Sequence, residues 1–350
     1  MSEEELNADG WEAIDEALEQ LYGEQEQKHY GTAIPYMLGG PDPLNGISVY
    51  EVREPLPHWH FVTYGFSELY EKETEDPGYS GYGFELTFRL FKSAAEDEPP
   101  AWALNLLQNL GRYVFNSGNV FRSGDYMDAN GPIALESETA LSALAFITDP
   151  LLPGIDTPNG RVEFLQLVGI TNDELSAMQV WNTLGVLMEM SEHIPLYITD
   201  LHRNSLLKLP AIAEAVRLGS ESEGSNTGAL YVDQLAWENP EDDSIQTLQL
   251  GAKQAEIVGK LLHGRLLKGR ILTLAGPEVT VSFETSVTRS IEIQNDNVVL
   301  KLDEAVSEAI SEILRPVAGL YRLTDWPEFA VRIVPTHITD HEGIVVKTIG

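Results

Sequence analysis

Two histidines, His58 and His60, flank Trp59. On a strand, side chains two apart share a face, so the pair could chelate a metal. Zinc needs a third ligand and in structural sites a fourth. No neighbour offers that spacing, so two structural or exposed histidines are the blander reading. His193 has no second histidine in HExxH spacing, and His341 sits between two acids near the C-terminal end. Gly78-Tyr79-Ser80-Gly81 resembles a hydrolase nucleophile elbow, but position 82 is Tyr82 where that motif needs glycine. Gly81-x-Gly83-x-x-Leu86 lacks the third glycine of a dinucleotide loop and opens a strand pattern, not a helix. A phosphate-binding GxxxxGK[ST] is absent. With 55 acidic residues, chance carboxylate pairs are expected. A hydrolase built on carboxylates, or on a His58/His60 metal site, is therefore kept as the alternative function, and no cofactor is implied.

The residues suited to binding are fewer. Lys253, Lys260, Arg265, Lys268 and Arg270 lie within 18 residues of an otherwise acidic chain. With Ile257, Val258, Leu261 and Leu262 turned inward, they would make one face of a helix. That face is either solvated, paired with acids of this chain, or open to an acidic partner. Tyr113 and Asp125 flank a turn-rich segment after a helical pattern. By pattern alone Tyr113 faces the core, and Asp125 is a turn residue after Gly124.

The elements that must carry these groups centre on residues 58–91. Phe84, Leu86, Phe88 and Leu90 alternate with Glu85, Thr87 and Arg89, the period of a half-buried strand. A second strand runs from about 58 to 64, and short β-prone runs occupy 47–52 and 143–148. The apolar stretch 161–170 reads as a central strand. Trp11, Ile14, Leu18, Leu21 and Tyr22 define an amphipathic helix that Asp9 would cap, with Glu12 three residues on. Another helix follows Pro99-Pro100 and ends at Ser117-Gly118. A third, capped by Asn172, would run through Leu175, Met178, Trp181, Leu184 and Leu187. A strand at 196–199 and a helix at 210–218 complete this half. Beyond it lie β-prone runs at 245–252, 270–275, 278–284, 287–293, 297–302 and 329–334. Helices are expected over about 254–267 and 303–314, the latter capped by Asp303.

A chain of 350 residues exceeds one ordinary core. The polar stretches 219–228 and 239–244 are candidate boundaries. The formal charge of −33 repels phosphate, which argues against nucleic acid, and it suits either plain solubility, as a solvated acidic surface, or a basic protein partner. Absence of cysteine excludes thiolate metal sites and suits a reducing, cytoplasmic setting. The acidic opening MSEEEL is unlike a signal peptide, and no apolar run reaches the ~20 residues that span a bilayer.

Beyond these patterns, the sequence resembles the suppressor of fused family. The resemblance is carried by His58-Trp59-His60, by Thr63 to Tyr70, by Ser80 to Leu90, and by Arg112-Tyr113-Val114-Phe115 with Ser123-Gly124-Asp125. It continues through Thr148-Asp149-Pro150, Thr157-Pro158 with Gly160, Phe164-Leu165-Gln166 with Val168-Gly169, Gln179 with Trp181-Asn182, Thr199-Asp200 and Gly224-Ser225-Asn226. Past residue 245 it is weaker: Arg265-Leu266-Leu267 with Gly269-Arg270, and Trp326-Pro327-Glu328 with Pro335. The resemblance implies an α+β protein of two domains, each a mixed or mainly antiparallel sheet with packed helices, divided as 1–240 and 241–350. It implies a non-catalytic module that grips a partner peptide in an interdomain cleft by strand addition. Tyr113 and Asp125 then form the first wall, with His60 and Tyr64 as further candidates. A histidine of the animal proteins falls at Asn130 here, and their long C-terminal insertion is missing. The expectation is a compact bacterial relative, and bacterial members suggest an immunity protein against a basic toxin.

Overall fold

The computed structural model describes residues 7–32, 34, 36–135, 137–238, 245–339 and 344–350. The stretch 239–244, the opening MSEEEL and His341 lie outside them. The chain divides into two compact units, Met1–Leu175 with Leu187–Ile212, and Ser176–Val186 with Ala213–Gly350.

The first unit is an eight-stranded sheet. Its strands are β1 (Lys28–Gly31), β2 (Gly46–Val52), β3 (His58–Tyr64), β4 (Tyr79–Phe91), β5 (Tyr126–Asp128), β6 (Leu141–Thr148), β7 (Ile155–Thr157) and β8 (Gly160–Thr171). The order is β1-β2-β3-β4-β8-β6-β5, with β7 paired to β8. The apolar run at 161–170 is central, as its composition predicts, and β4 pairs with it in parallel. Helix α1 (Asp9–Tyr22) and helix α2 (Ala101–Ser117) pack on opposite faces. Alternation along β3 decides which side chain meets which helix. Trp59 and Phe61 join the cluster of Leu107, Leu110 and Val114 from α2, whereas Val62 and Tyr64 join Ile14 and Leu18 from α1. Asp9 does not cap α1. It is the first helical residue, and its N–H donates to Asn7 Oδ1 at 3.1 Å.

Between β8 and the next strand the chain forms α3 (Asn172–Val180), α4 (Thr183–Met190) and α5 (Pro210–Glu223). The single helix expected over 173–187 is broken at Trp181-Asn182. Asn182 Oδ1 accepts the Gly185 N–H at 2.6 Å and so starts a new helix. The strand expected at 196–199 is a 3-10 turn, Pro195–Tyr197, with a lone bridge from Thr199 to Leu90. Helix α5 runs past Gly219 and stops at Gly224, whose φ of 70° suits glycine.

The second unit holds three sheets. The strands are β9 (Ala229–Tyr231), β10 (Ala236–Glu238), β11 (Gln246–Gly251), β12 (Leu272–Ala275), β13 (Thr280–Thr285), β14 (Ser290–Gln294), β15 (Asn297–Leu302), β16 (Gly319–Leu323), β17 (Trp326–Val334), β18 (Thr336–Thr339) and β19 (Val345–Ile349). They form a four-stranded sheet β10-β11-β17-β16, a five-stranded sheet β14-β15-β13-β12-β9, and the pair β18-β19. Helices α6 (Ala252–Leu266) and α7 (Glu304–Ile313) share a core with the two larger sheets. Asp303 caps α7 as its position predicts, accepting the Val306 N–H at 2.9 Å. The fold is thus α+β, with mixed sheets in both units.

Candidate partner-binding site

The sheet of the first unit ends at β5. Among the described residues β6 is the only strand bonded to it, in antiparallel register Tyr126↔Ala145, Met127↔Leu144, Asp128↔Ala143. The Phe146 N–H donates to the Asp125 carbonyl at 2.9 Å, and the Ala129 N–H donates to the Ser142 carbonyl at 3.0 Å. Hydrogen-bonded pairs alternate in an antiparallel ladder, so residues 125, 127 and 129 point their backbone groups at β6. The backbone groups of Asp128 therefore point outward along the sheet edge. Its exposed side chain accepts the Asn130 N–H at 2.8 Å.

The segment between α2 and β5 fixes Tyr113 and Asp125 beside this edge. Gly118 ends α2 with φ 72°, and Ser117 Oγ donates to the Tyr113 carbonyl at 2.7 Å while accepting the Asn119 N–H at 3.1 Å. Asn119 Nδ2 then donates to the Tyr113 hydroxyl at 3.1 Å. One face of the Tyr113 ring stacks on Phe121 at 5.6 Å, and Phe121 stacks on Phe146 of β6 at 4.2 Å. Tyr113 is nevertheless 39% exposed, so it is not the core residue its helical position suggests. Asp125 is a turn residue, as Gly124 implies. Its N–H donates to the Arg122 carbonyl at 3.0 Å, its Oδ2 accepts the Arg122 N–H at 2.7 Å, and Gly124 adopts φ 100°. Asp125 is half-buried. Neither Asp125 nor Asp128 has a salt-bridge partner among the described residues. The result is a short strand edge bordered by an anchored aromatic ring and two uncompensated carboxylates, a surface suited to an extended, basic segment.

His60 and Tyr64 are elsewhere. Both are fully buried, and neither offers surface to a partner. Tyr64 stacks on Trp11 at 4.6 Å and donates its hydroxyl to Asp15 Oδ1 at 2.7 Å. His60 Nδ1 lies 2.5 Å from the Tyr22 hydroxyl, and Nε2 lies 3.4 Å from Asp149 Oδ2. Burial, then the neighbouring Arg89 charge, lowers its pKa to about 4 and keeps it neutral. The sequence pattern makes β4 half-buried, with Glu85, Thr87 and Arg89 facing water. The structure buries that side too. Arg89 Nη1 donates to Asp149 Oδ2 and to Gln166 Oε1, and Thr87 Oγ1 donates to the same Asp149 oxygen at 2.7 Å. Burial acts to raise the Asp149 carboxyl, but His60 and Arg89 hold it well below the usual carboxylate range. Glu85 accepts from Thr63 Oγ1, Gly65 N–H and both donors of Ser67 at 2.6 to 2.9 Å. Burial still pushes its carboxyl up to about 7.

The paired histidines are structural in their contacts. His58 Nδ1 is 2.6 Å from the Leu56 carbonyl, and both nitrogens of His60 face protein groups. Among the described residues no cluster of three metal-ligating side chains occurs. The basic cluster is likewise used internally in part. Arg265 donates to the carbonyls of Ile271 and Ser225, and Arg270 donates to Ser225 and Asn226, while Lys260 pairs with Glu256. Those arginines pin the Gly224-Ser225-Asn226 turn, whose Ser225 Oγ donates to the Gln179 carbonyl at 2.5 Å. What sequence reading missed is β5 itself. A three-residue strand has no periodicity to detect, and its only signals are Gly124 before it and Asn130-Gly131 after it.

Residues 40–204 match the family model described as Suppressor of fused protein (SUFU). The human and mouse proteins named Suppressor of fused homolog are each 37% identical over 274 residues. That match takes in 72% of this chain and 56% of each relative, so the chain spans little more than half the length of the curated relatives it matches. The crystal structure of Drosophila Suppressor of Fused has the same fold, with a TM-score of 0.79 at 22% identity, over 93% of this chain and 97% of that one. The Sufu–Fu complex crystal structure contains a chain 33% identical, with a TM-score of 0.57, covering 60% of this chain and 98% of that chain.

Proposed function

Because this chain belongs to the suppressor of fused family, we propose that it is a protein-binding module that takes up an extended segment of another polypeptide along the open edge of β5. The observation that carries the reading is the outward-facing backbone of Asp128 beside Tyr113 and Asp125. An added strand draws affinity from main-chain hydrogen bonds and specificity from side chains at the border. Tyr113 supplies a rigid aromatic surface, already held by Phe121 and Asn119, and so loses little freedom on binding. Asp125 and Asp128 select a basic or donor-rich segment. A relative solved as a Sufu–Fu complex supports a protein partner. The charge of −33 further favours a basic one, and in its finer form the partner is a basic toxin that this chain neutralises as an immunity protein.

The test is affinity capture from native cell extract, with thermal melts run in parallel. The wild-type chain should retain a basic polypeptide. Asp125→Arg should retain at least about tenfold less, since it replaces attraction by like-charge repulsion. Asp128→Pro should do the same without disturbing β6, because it removes only an outward N–H. Both variants should melt within a few degrees of wild type. Equal capture by all three chains, or loss of capture only where the variant unfolds, ends the edge reading. The immunity form further requires that the captured protein be toxic alone and harmless when co-expressed with this chain.

A further inference from the structure

An asparagine followed by glycine is chemically labile, because glycine has no Cβ to hinder its backbone nitrogen from reaching the asparagine side chain. That pair occurs at Asn45-Gly46, Asn130-Gly131 and Asn159-Gly160. Attack requires the peptide between the two residues to rotate until the glycine nitrogen meets the asparagine Cγ. At two of the three the fold resists this. The carbonyl of Asn45 accepts the Thr32 N–H at 3.2 Å, its N–H donates to the Tyr64 carbonyl at 2.8 Å, and Gly46 is buried at the start of β2. Asn159 is 6% exposed, and its Nδ2 donates to the Glu68 and Tyr70 carbonyls at 2.9 and 2.7 Å. Gly160 is confined as well, since a Cβ there would lie 2.6 Å from the Tyr79 backbone.

Asn130-Gly131 is placed differently. The bonds to β6 run through the Ala129 N–H, which donates to the Ser142 carbonyl, and resume at the Ile133 N–H, which donates to the Leu141 carbonyl at 3.0 Å. Residues 130–132 bridge these two anchors, and Pro132 has no N–H to donate. Asn130 is exposed and adopts a left-handed φ of 55°, so the chain has already turned off the strand. Its N–H donates to Asp128 Oδ1 at 2.8 Å, a bond that lies before the rotating peptide and survives the rotation. A Cβ built on Gly131 would meet nothing within 4 Å, so that peptide has room to turn.

We propose that Asn130 is a site of spontaneous deamidation, selected by the fold from the three Asn-Gly pairs. The Gly131 nitrogen attacks Cγ of Asn130, an intramolecular step favoured by proximity. The N–Cγ bond forms, the Cγ–Nδ2 bond breaks, and ammonia leaves with the Gly131 amide proton. Water then opens the five-membered imide at either carbonyl, giving aspartate or isoaspartate. Water is the only co-reactant. Either product adds a negative charge to a border that already holds Asp125 and Asp128, and isoaspartate lengthens the backbone by one carbon. The consequence for partners rests on the proposed β5 edge: the aged chain attracts a basic segment more strongly. The modification itself needs no partner and is measured on the chain alone, so it stands or falls apart from that edge.

The full chain is held for weeks in mildly alkaline buffer. Its proteolytic peptides are then read by mass spectrometry for replacement of NH2 by OH, and by enzymatic methylation of isoaspartate. The peptide carrying Asn130 should convert at least about tenfold faster than those carrying Asn45 and Asn159, and should give both products. In urea the three should convert at similar rates, because only the fold separates them. Gly131→Ala has room for its methyl group and should slow conversion at Asn130 by at least about tenfold. Conversion in the folded chain no faster at Asn130 than at Asn45 or Asn159 would overturn the assignment. So would a rate that Gly131→Ala leaves unchanged.

Discussion

A strand residue whose neighbours alternate polar and apolar is ordinarily assigned to water, and Arg89 shows how that rule fails. Its guanidinium is completely buried, held by Asp149 and Gln166, and the Asp149 carboxylate is held in turn by Thr87 and faced by His60. Desolvating such a pair is expensive, and removing one member leaves the other uncompensated. Arg89→Met should therefore cost about 3–5 kcal/mol, read as a lowered urea midpoint. Adding Asp149→Asn to that variant should recover part of the loss, because the stranded charge is gone. If the double variant is no more stable than the single, the two side chains are not coupled. The same cluster of His60, Thr87, Arg89, Asp149 and Gln166 ties β3, β4 and β8 together and so holds the sheet on which the edge is displayed.

Helix α1 covers that polar face, and its docking depends on one glycine. A Cβ on Gly10 would lie 2.1 Å from the Glu68 carbonyl oxygen, and the next residue, Trp11, donates its N–H to the Leu69 carbonyl at 3.1 Å. Backbone cannot yield as a side-chain tip does. Gly10→Ala should thus destabilise by about 1–3 kcal/mol through overpacking. This outweighs the gain of up to about 1 kcal/mol from better helix propensity. Thermal unfolding gives the sign, and Trp11 emission reports whether the helix has lifted. A stabilised variant would show that α1 does not sit this close. The break between α3 and α4 has a comparable cause. The Trp181 ring packs against Gly185 and Gly219, its Nε1 donates to Glu223 at 2.7 Å, and Asn182 restarts the helix.

At the scale of the whole molecule the dominant quantity is charge. Complementary long-range fields speed encounter more than they tighten the final complex. The association rate with the captured basic partner should fall by about tenfold or more between low salt and about 0.5 M, with a smaller change in dissociation rate. Stopped-flow mixing at several salt concentrations measures both. A rate insensitive to salt would mean that the charge of −33 serves solubility and not recognition.

The sequence by itself determined the long elements and the family. Helix α2 with its Gly118 stop, the central β8, α6, and α7 with its Asp303 cap all follow from local periodicity and end signals. Such features need only neighbours within a few residues. The chain could not reveal which polar residues are buried, because Arg89 meets Asp149 from 60 positions away and His60 meets Tyr22 from 38. Nor could it locate the sheet edge. Whether β5 is an end or a middle strand depends on which strands pair, and β6 takes its place between β8 and β5 only when the sheet is assembled. Tertiary pairing thus separated the named candidates, enclosing His60 and Tyr64 and leaving Tyr113 and Asp125 partly at the surface.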